Sequence, residues 1–209
     1  MNKIRARAQL QFPTVLLTLI SIIQALALEL LWSKIVESEF LWTLNAEALI
    51  GWGMLSVAFL AILQIWVMYS SMVMGFVWLP SMRESIVPFI IGIQEFMLIT
   101  LIDESFSSLW LYVLASAFAT AHWISHSSMR RARQDPENAE FFGKMEPAKL
   151  RDFLPAIFIV GLFVFFGLLI DLSGSIIWII ITALLCANIV TVVQMYFSRR
   201  LWGSIMALE

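Results

Sequence analysis

Six stretches of this chain are apolar over about the length that one helix needs to cross a bilayer. A spanning helix takes about 20 such residues, because a rise of ~1.5 Å per residue must cover a hydrocarbon core of ~30 Å. The stretches are 12–32, 47–78, 86–102, 106–125, 153–170 and 175–197. The second would reach ~48 Å as one helix, so it tilts, protrudes or begins later, with Gly51 and Gly53 softening its start. Of the 209 residues 61% are hydrophobic and only 13% charged, against roughly 25% charged in soluble domains. Mean hydropathy is +0.88. These values exclude a soluble globular domain and a disordered chain. A net charge of −2 gives no basic surface for phosphates, which excludes nucleic acid as a partner. The expected fold is an all-α integral membrane protein, a six-transmembrane-helix bundle forming one domain over 1–209, with the lipid bilayer as its surroundings.

The basic residues set the expected orientation. With the N-terminus in the cytoplasm, the cytoplasmic segments hold Lys3, Arg5, Arg7, Arg83, Arg130, Arg131, Arg133, Lys144, Lys149, Arg151, Arg199 and Arg200. Of the 13 Lys and Arg residues, only Lys34 falls outside, as the positive-inside rule requires. Both termini are therefore expected in the cytoplasm, and a bacterial inner membrane suits the short polar loops. The stretch at 12–32 is too long for a signal-peptide core and no small-x-small site follows it, so it reads as a retained helix. Tryptophans fit the same frame. Trp32, Trp42, Trp110 and Trp178 fall near the outer boundary and Trp78, Trp123 and Trp202 near the inner one, while Trp52 and Trp66 sit deeper, where packing between helices is expected.

The one sizeable connector, 130–152, is cytoplasmic in this frame. Asp135-Pro136-Glu137 reads as a helix start that Gly143 ends, and Glu146-Pro147 as the start of another short piece. Phe141 and Phe142 suit docking on the bundle or on a partner. The third and fifth stretches resemble each other: the shift that carries Leu101-Ile102-Asp103 onto Leu169-Ile170-Asp171 also carries Arg83 onto Arg151, Ser105 onto Ser173 and Trp110 onto Trp178. A repeat of helical hairpins, helices 3–4 onto 5–6, is one reading. Shared topology is the other, since apolar helices with basic starts and acidic ends look alike. A threefold arrangement of three hairpins extends the first reading.

Glu95 is the sharpest candidate for chemistry. It lies near the middle of the third stretch, where a charged group costs about 2.5–3.5 kcal/mol on insertion scales. It must face protein or water, or carry a proton. Gln24, Gln64, Gln94 and Asn188 fall at similar depth. On the second helix Gly53, Gln64, Ser71 and Gly75 lie within about 20° of one line. Such groups line a path, or they bond across helices and hold the bundle together. Glu29, Asp103, Glu104 and Asp171 stand at the outer ends of helices one, three and five. They form an acidic group that attracts cations, or Asp103 caps at Ser105 and Asp171 at Ser175. His122 and His126 share one face of the fourth helix, a spacing that fits a pH-sensing pair or ordinary interfacial hydrogen bonds. The three arginines that follow would repel a cation, so no metal is assigned. The small-residue run Ala115–Ala121 permits close helix approach, within the bundle or in a homo-oligomer or larger membrane complex.

Cys186 is the only cysteine, so there is no internal disulfide and no cysteine metal cluster. The chain carries no Walker A loop, no H-E-x-x-H, no nucleophile elbow and no selectivity-filter sequence, and neither a cofactor nor an enzymatic activity is expected. Two functions remain. One is a small channel or transporter for an ion (proton or cation) or small solute, with Glu95 on its path. The other is a non-catalytic membrane subunit that docks a partner through its connector and C-terminal segment. In the first the polar groups converge on one cavity; in the second each is satisfied by a neighbour.

Overall fold

The computed structural model describes residues 3–77, 81–143 and 145–206, with side chains for 7–77, 81, 84–143 and 145–203. Trp78, Lys144 and the side chains of Lys3, Arg5 and Arg83 lie outside the described residues. Within them the chain is all-helical. The long helices are α1 (Lys3–Glu37), α2 (Ala46–Gly75), α3 (Met82–Thr100), α4 (Ser107–Ala132), α6 (Leu154–Ser173) and α7 (Ile177–Met206), with the short α5 (Ala139–Gly143) between α4 and α6.

Helix starts follow capping chemistry. The Asn45 side chain accepts from the Ala48 amide at 2.9 Å and opens α2. Ser81 does the same for the Glu84 amide at the start of α3, and Asp135 for Glu137 ahead of α5. Each supplies an acceptor to an amide that has no partner inside the helix. The last helical turn before Leu154 begins at Leu150, later than Glu146-Pro147 implied. Gly174, at φ +70°, ends α6 in the left-handed conformation that glycine adopts without a side-chain penalty. α2 is one unbroken helix of 30 residues, about 45 Å long. Its glycines serve packing: a Cβ on Gly51 would strike Phe40 and Leu41, and one on Gly53 would press on Leu184.

Around the bundle the neighbour order is α1, α2, α7, α6, α4, α3, closing back on α1. The hairpins α3–α4 and α6–α7 run in the same sense, and α1–α2 runs in the opposite one. A threefold rotation of hairpins would seat α7 on α1 and α2 mainly on α3. Instead α7 packs along α2 and α1 along α3. The closest packing is α4 on α6, where the Gly167 backbone lies so near the Tyr112 ring that a Cβ would be 2.5 Å from it. Of the small-residue run of α4, Ala115 is buried while Ser116 and Ala119 are exposed.

The core has two parts. Near the α3–α4 turn all six long helices contribute, with Ala27, Met54, Ile99, Trp110, Phe163 and Ala183 fully enclosed. Toward the connector the second part is made by Leu16 and Ile20 of α1, Ile65, Tyr69 and Met72 of α2, Val87 and Ile91 of α3, and Ile124 of α4. α6 contributes no residue to it, and α7 only Trp202 at its edge.

The outside is apolar. Four stretches are long and apolar enough to cross a membrane among the described residues: Arg7–Glu37, Ala46–Gly75, Leu150–Ser173 and Ile177–Gly203. α3 carries Glu84 and Glu95, and the second half of α4 is rich in Ser, His and Arg. Yet α3 turns Ile86, Phe89, Ile90, Ile93 and Met97 outward and both acids inward. That is the reverse of a water-exposed helix, whose outer face is polar.

Tryptophan positions differ from expectation in two ways. Trp110 is fully enclosed, its Nε1 donating to the Leu98 carbonyl at 2.8 Å, rather than standing at a boundary. Trp52 and Trp66 are exposed on α2 instead of packed between helices. Trp52 donates to the Leu41 carbonyl and meets Trp42 edge-to-face. Periodicity gives depth along a helix but not which neighbour covers a face.

Gly167 tests the α4–α6 contact. Gly167→Val should lower stability by about 1–3 kcal/mol through overpacking against Tyr112. Gly161→Val, where a Cβ meets nothing within 4 Å, should leave the unfolding midpoint in detergent nearly unchanged.

Candidate functional site

Where α6 and α7 leave the second core, a cavity of about 230 Å³ opens between α2, α3, α4 and α7. Its polar lining comes from four helices: Gln64 of α2, Gln94 and Glu95 of α3, His122, Ser125 and His126 of α4, and Thr191, Gln194 and Ser198 of α7. The rest is apolar and soft, with Met68, Met72, Met129, Phe118 and Trp202 prominent. At the connector end Trp202 packs against Phe141 of α5, and Phe141 and Phe142 pack on Phe76.

Glu95 is 3% exposed. Both carboxylate oxygens lie 2.9 Å from Nε2 of Gln24 on α1, which donates to them. Gln24 does not line the cavity, so it holds the carboxylate from behind. Among the described residues no Lys, Arg or His forms an ion pair with Glu95. The Gln24 carbonyl oxygen is itself buried without a partner. Gln94 donates through Nε2 to the hydroxyls of Ser116 and Thr120, at 2.9 and 3.0 Å, and its buried Oε1 has no donor.

The histidines sit one turn apart on the same wall. His122 Nδ1 is 3.0 Å from the Phe118 carbonyl and its ring stacks on Phe118. His126 packs edge-on against Phe153, and its buried Nε2 has no partner. Among the described residues no group of three or more His, Cys, Asp and Glu is placed to hold a metal ion.

Gln64, Gln94, Glu95, His122 and His126 are therefore brought together, with Gln24 supporting Glu95. Asn188 is elsewhere, in the α2–α7 contact. It accepts from Ser56 and donates to the carbonyls of Gly53 and Leu184, which uses both its donors and its carbonyl oxygen. The stripe on α2 is shared between these roles: Gly53 receives Asn188, while Gln64 donates to Ser198 at 2.8 Å across the cavity.

The outer acids do not converge. Asp103 is a cap, accepting from the Ser105 amide and hydroxyl, and these bonds hold its carboxyl below the usual carboxylate range. Asp171 does not cap at Ser175. Because Gly174 ends the helix, Asp171 stays within α6 and accepts from the Tyr112 hydroxyl at 2.8 Å. Glu29 is exposed within α1, which continues to Glu37, so it does not oppose a helix end.

A second buried carboxylate belongs to the frame. Glu84, 4% exposed, pairs with Arg131 and accepts from Ser128, while Arg131 also reaches Ser81. This ties the start of α3 to the end of α4. Asn138 accepts from the Val77 amide and donates to the carbonyls of Val77 and Ala132, fastening the connector to α2 and α4. Sequence reasoning passed over Thr191, Gln194, Ser198 and Trp202. Their spacing along α7 is helical and marks one face, a signal as strong as the stripe on α2.

The Gln24–Glu95 pair can be dissected. Gln24→Leu should cost about 1–3 kcal/mol, since it leaves a buried carboxylate unsatisfied, whereas Gln24→Leu with Glu95→Leu should recover most of that loss. Thermal unfolding of the three variants in one detergent measures it. The chain matches no protein-family model, no curated protein and no solved structure.

Proposed function

We propose that the chain is a six-span integral membrane protein that moves an ion or small solute, with Glu95 on the path. The observation that carries this reading is convergence: nine polar side chains from four helices meet at one cavity, and two of them, Gln94 and His126, keep buried polar atoms without partners. Each unsatisfied buried group costs about 1–3 kcal/mol. Membrane residence is supported by the four apolar stretches and by α3, which faces outward with apolar side chains and inward with acids. The run of basic residues at one end favours a cytoplasmic connector and cytoplasmic termini, in a membrane such as the bacterial inner one. In this frame the cavity lies in the cytoplasmic half, and Glu95 stands at its deep end. No catalytic role is assigned to any residue.

The subunit reading draws on a different observation. Asn188, Asp103 and Glu84 are each bonded by neighbours, and the aromatic side chains of α5 offer a docking point. It accounts for the frame and leaves the cavity unexplained. The hairpin repeat keeps one support, the shared sense of α3–α4 and α6–α7 around the bundle.

Two experiments test the proposal. In a Cys186→Ala background, Leu44→Cys should react with an impermeant maleimide in intact cells, and Glu137→Cys only after permeabilisation; equal labelling of both from outside would overturn the topology. In proteoliposomes, wild type should show proton, cation or solute flux above empty vesicles, and Glu95→Gln, shown to be folded by size exclusion, should fall to near background. Flux unchanged in Glu95→Gln would remove Glu95 from the path.

A further inference from the structure

We infer that the cavity is a binding site for a small hydrophobic ammonium, a protonated amine on an apolar body, with Glu95 as its counter-charge. This deepens the transport reading by naming the ligand class, and the cavity's chemistry carries it.

The lining holds no lysine or arginine, and Glu95 is the only carboxylate in it. That carboxylate is buried with an amide behind it and no cation against it. An ionised carboxylate has about four lone-pair positions, and here one NH2 group serves both oxygens from the α1 side. The neighbouring Gln94 also lines the cavity, and its buried Oε1 lacks a donor. At this end of the site Glu95 lacks a cation and Gln94 Oε1 lacks a donor, which a ligand bearing N–H and positive charge supplies.

The wall decides between an organic and an inorganic cation. A hard metal ion takes about six or more oxygen ligands, or keeps its waters. Glu95 is instead flanked by Met68, Met72, Ile91 and Leu98, with Phe118 and Trp202 further along. Thioethers and aromatic faces suit a weakly hydrated cation with an apolar body. At about 230 Å³ the cavity is smaller than the roughly 300–1,000 Å³ of drug-sized sites, so the ligand is a one-ring amine rather than a large amphiphile.

Binding of N,N-dimethylbenzylamine, protonated at pH 7, tests the inference in the detergent-solubilised full chain by calorimetric titration, with neutral N,N-dimethylbenzamide as the comparison of similar shape. Wild type should bind the amine at least about tenfold tighter than the amide, the size of one buried charge interaction of about 1.4 kcal/mol. Glu95→Gln should abolish that preference while leaving amide binding within about twofold, which also shows that its cavity is intact. Ala121→Leu, which fills the cavity without touching the carboxylate, should weaken both ligands. Equal binding of the two by wild type, a preference that survives Glu95→Gln, or no binding of either overturns the inference. Proton or sodium flux in proteoliposomes with no amine binding would overturn it and leave the transport reading standing. Amine binding without flux of any tested species, the amine included, would do the reverse.

Discussion

A bundle whose outer surface is apolar has one place for long polar side chains, and that is between its helices. Here Leu26, Phe89, Ile93, Phe158, Ile189 and Val192 are all turned outward. In hydrocarbon an amide or carboxylate among them would lose water and gain no partner, at several kcal/mol per group. Gln24, Gln64, Gln94, Glu95, Asn188 and Gln194 are accordingly all buried or half-buried. This constraint accounts for the uneven apolarity of the helices. α3 and α4 carry many of the inward polar groups, while α1, α2, α6 and α7 hold the four stretches long and apolar enough to span. A polar helix is tolerated where others cover it, and α4 lies between α3 and α6.

The same arrangement produces the cavity. At the α3–α4 turn end six helices close on one core around Trp110 and Phe163. At the connector end α6 follows α4 and meets α7 over a smaller contact, so α7 is held against α2 without filling the space in front of α4. Collapse of that space is opposed by fixed geometry on either side. Glu84 and Arg131 brace α3 to α4, Asn138 fastens the connector to α2 and α4, and Gln64 bonds across to Ser198. A cavity bordered by such braces is a feature of the packing rather than a flaw in it.

Much of this was legible in the sequence, and the misses share a cause. Apolar length located every long helix, and Asp135-Pro136-Glu137 located the connector's helical turn. Helix ends were drawn short for α1 and α4, because hydrophobicity marks where hydrocarbon would end, while backbone hydrogen bonding continues. α4 runs on from Ser125 to Ala132 since Ser128 and Arg131 have a buried partner in Glu84. Depth placed Gln24 and Glu95 at one level but did not pair them, for their bond spans two helices that are distant in sequence. Trp110 was misplaced for the same reason, as was Asp171, whose partner Tyr112 is on another helix. Single-chain periodicity contains angles and heights, and neighbours are a property of the assembled bundle.

The polar groups that hold this bundle and those that face its cavity differ in what they meet. Asn188 uses its carbonyl and both donors on Ser56, Gly53 and Leu184, so a ligand would have to break bonds to reach it. Glu84 meets a full cation and a hydroxyl. Glu95 lies on a helix with comparable burial and meets one amide. Gln94, one residue earlier, donates fully and accepts nothing. A fold selected only for rigidity would gain by closing these acceptors, with a lysine or hydroxyl from the facing wall of α7. That wall offers Thr191, whose hydroxyl is turned back to its own helix at Ala187. The open acceptors therefore belong to residues beside a space large enough to bring them a donor from outside the chain.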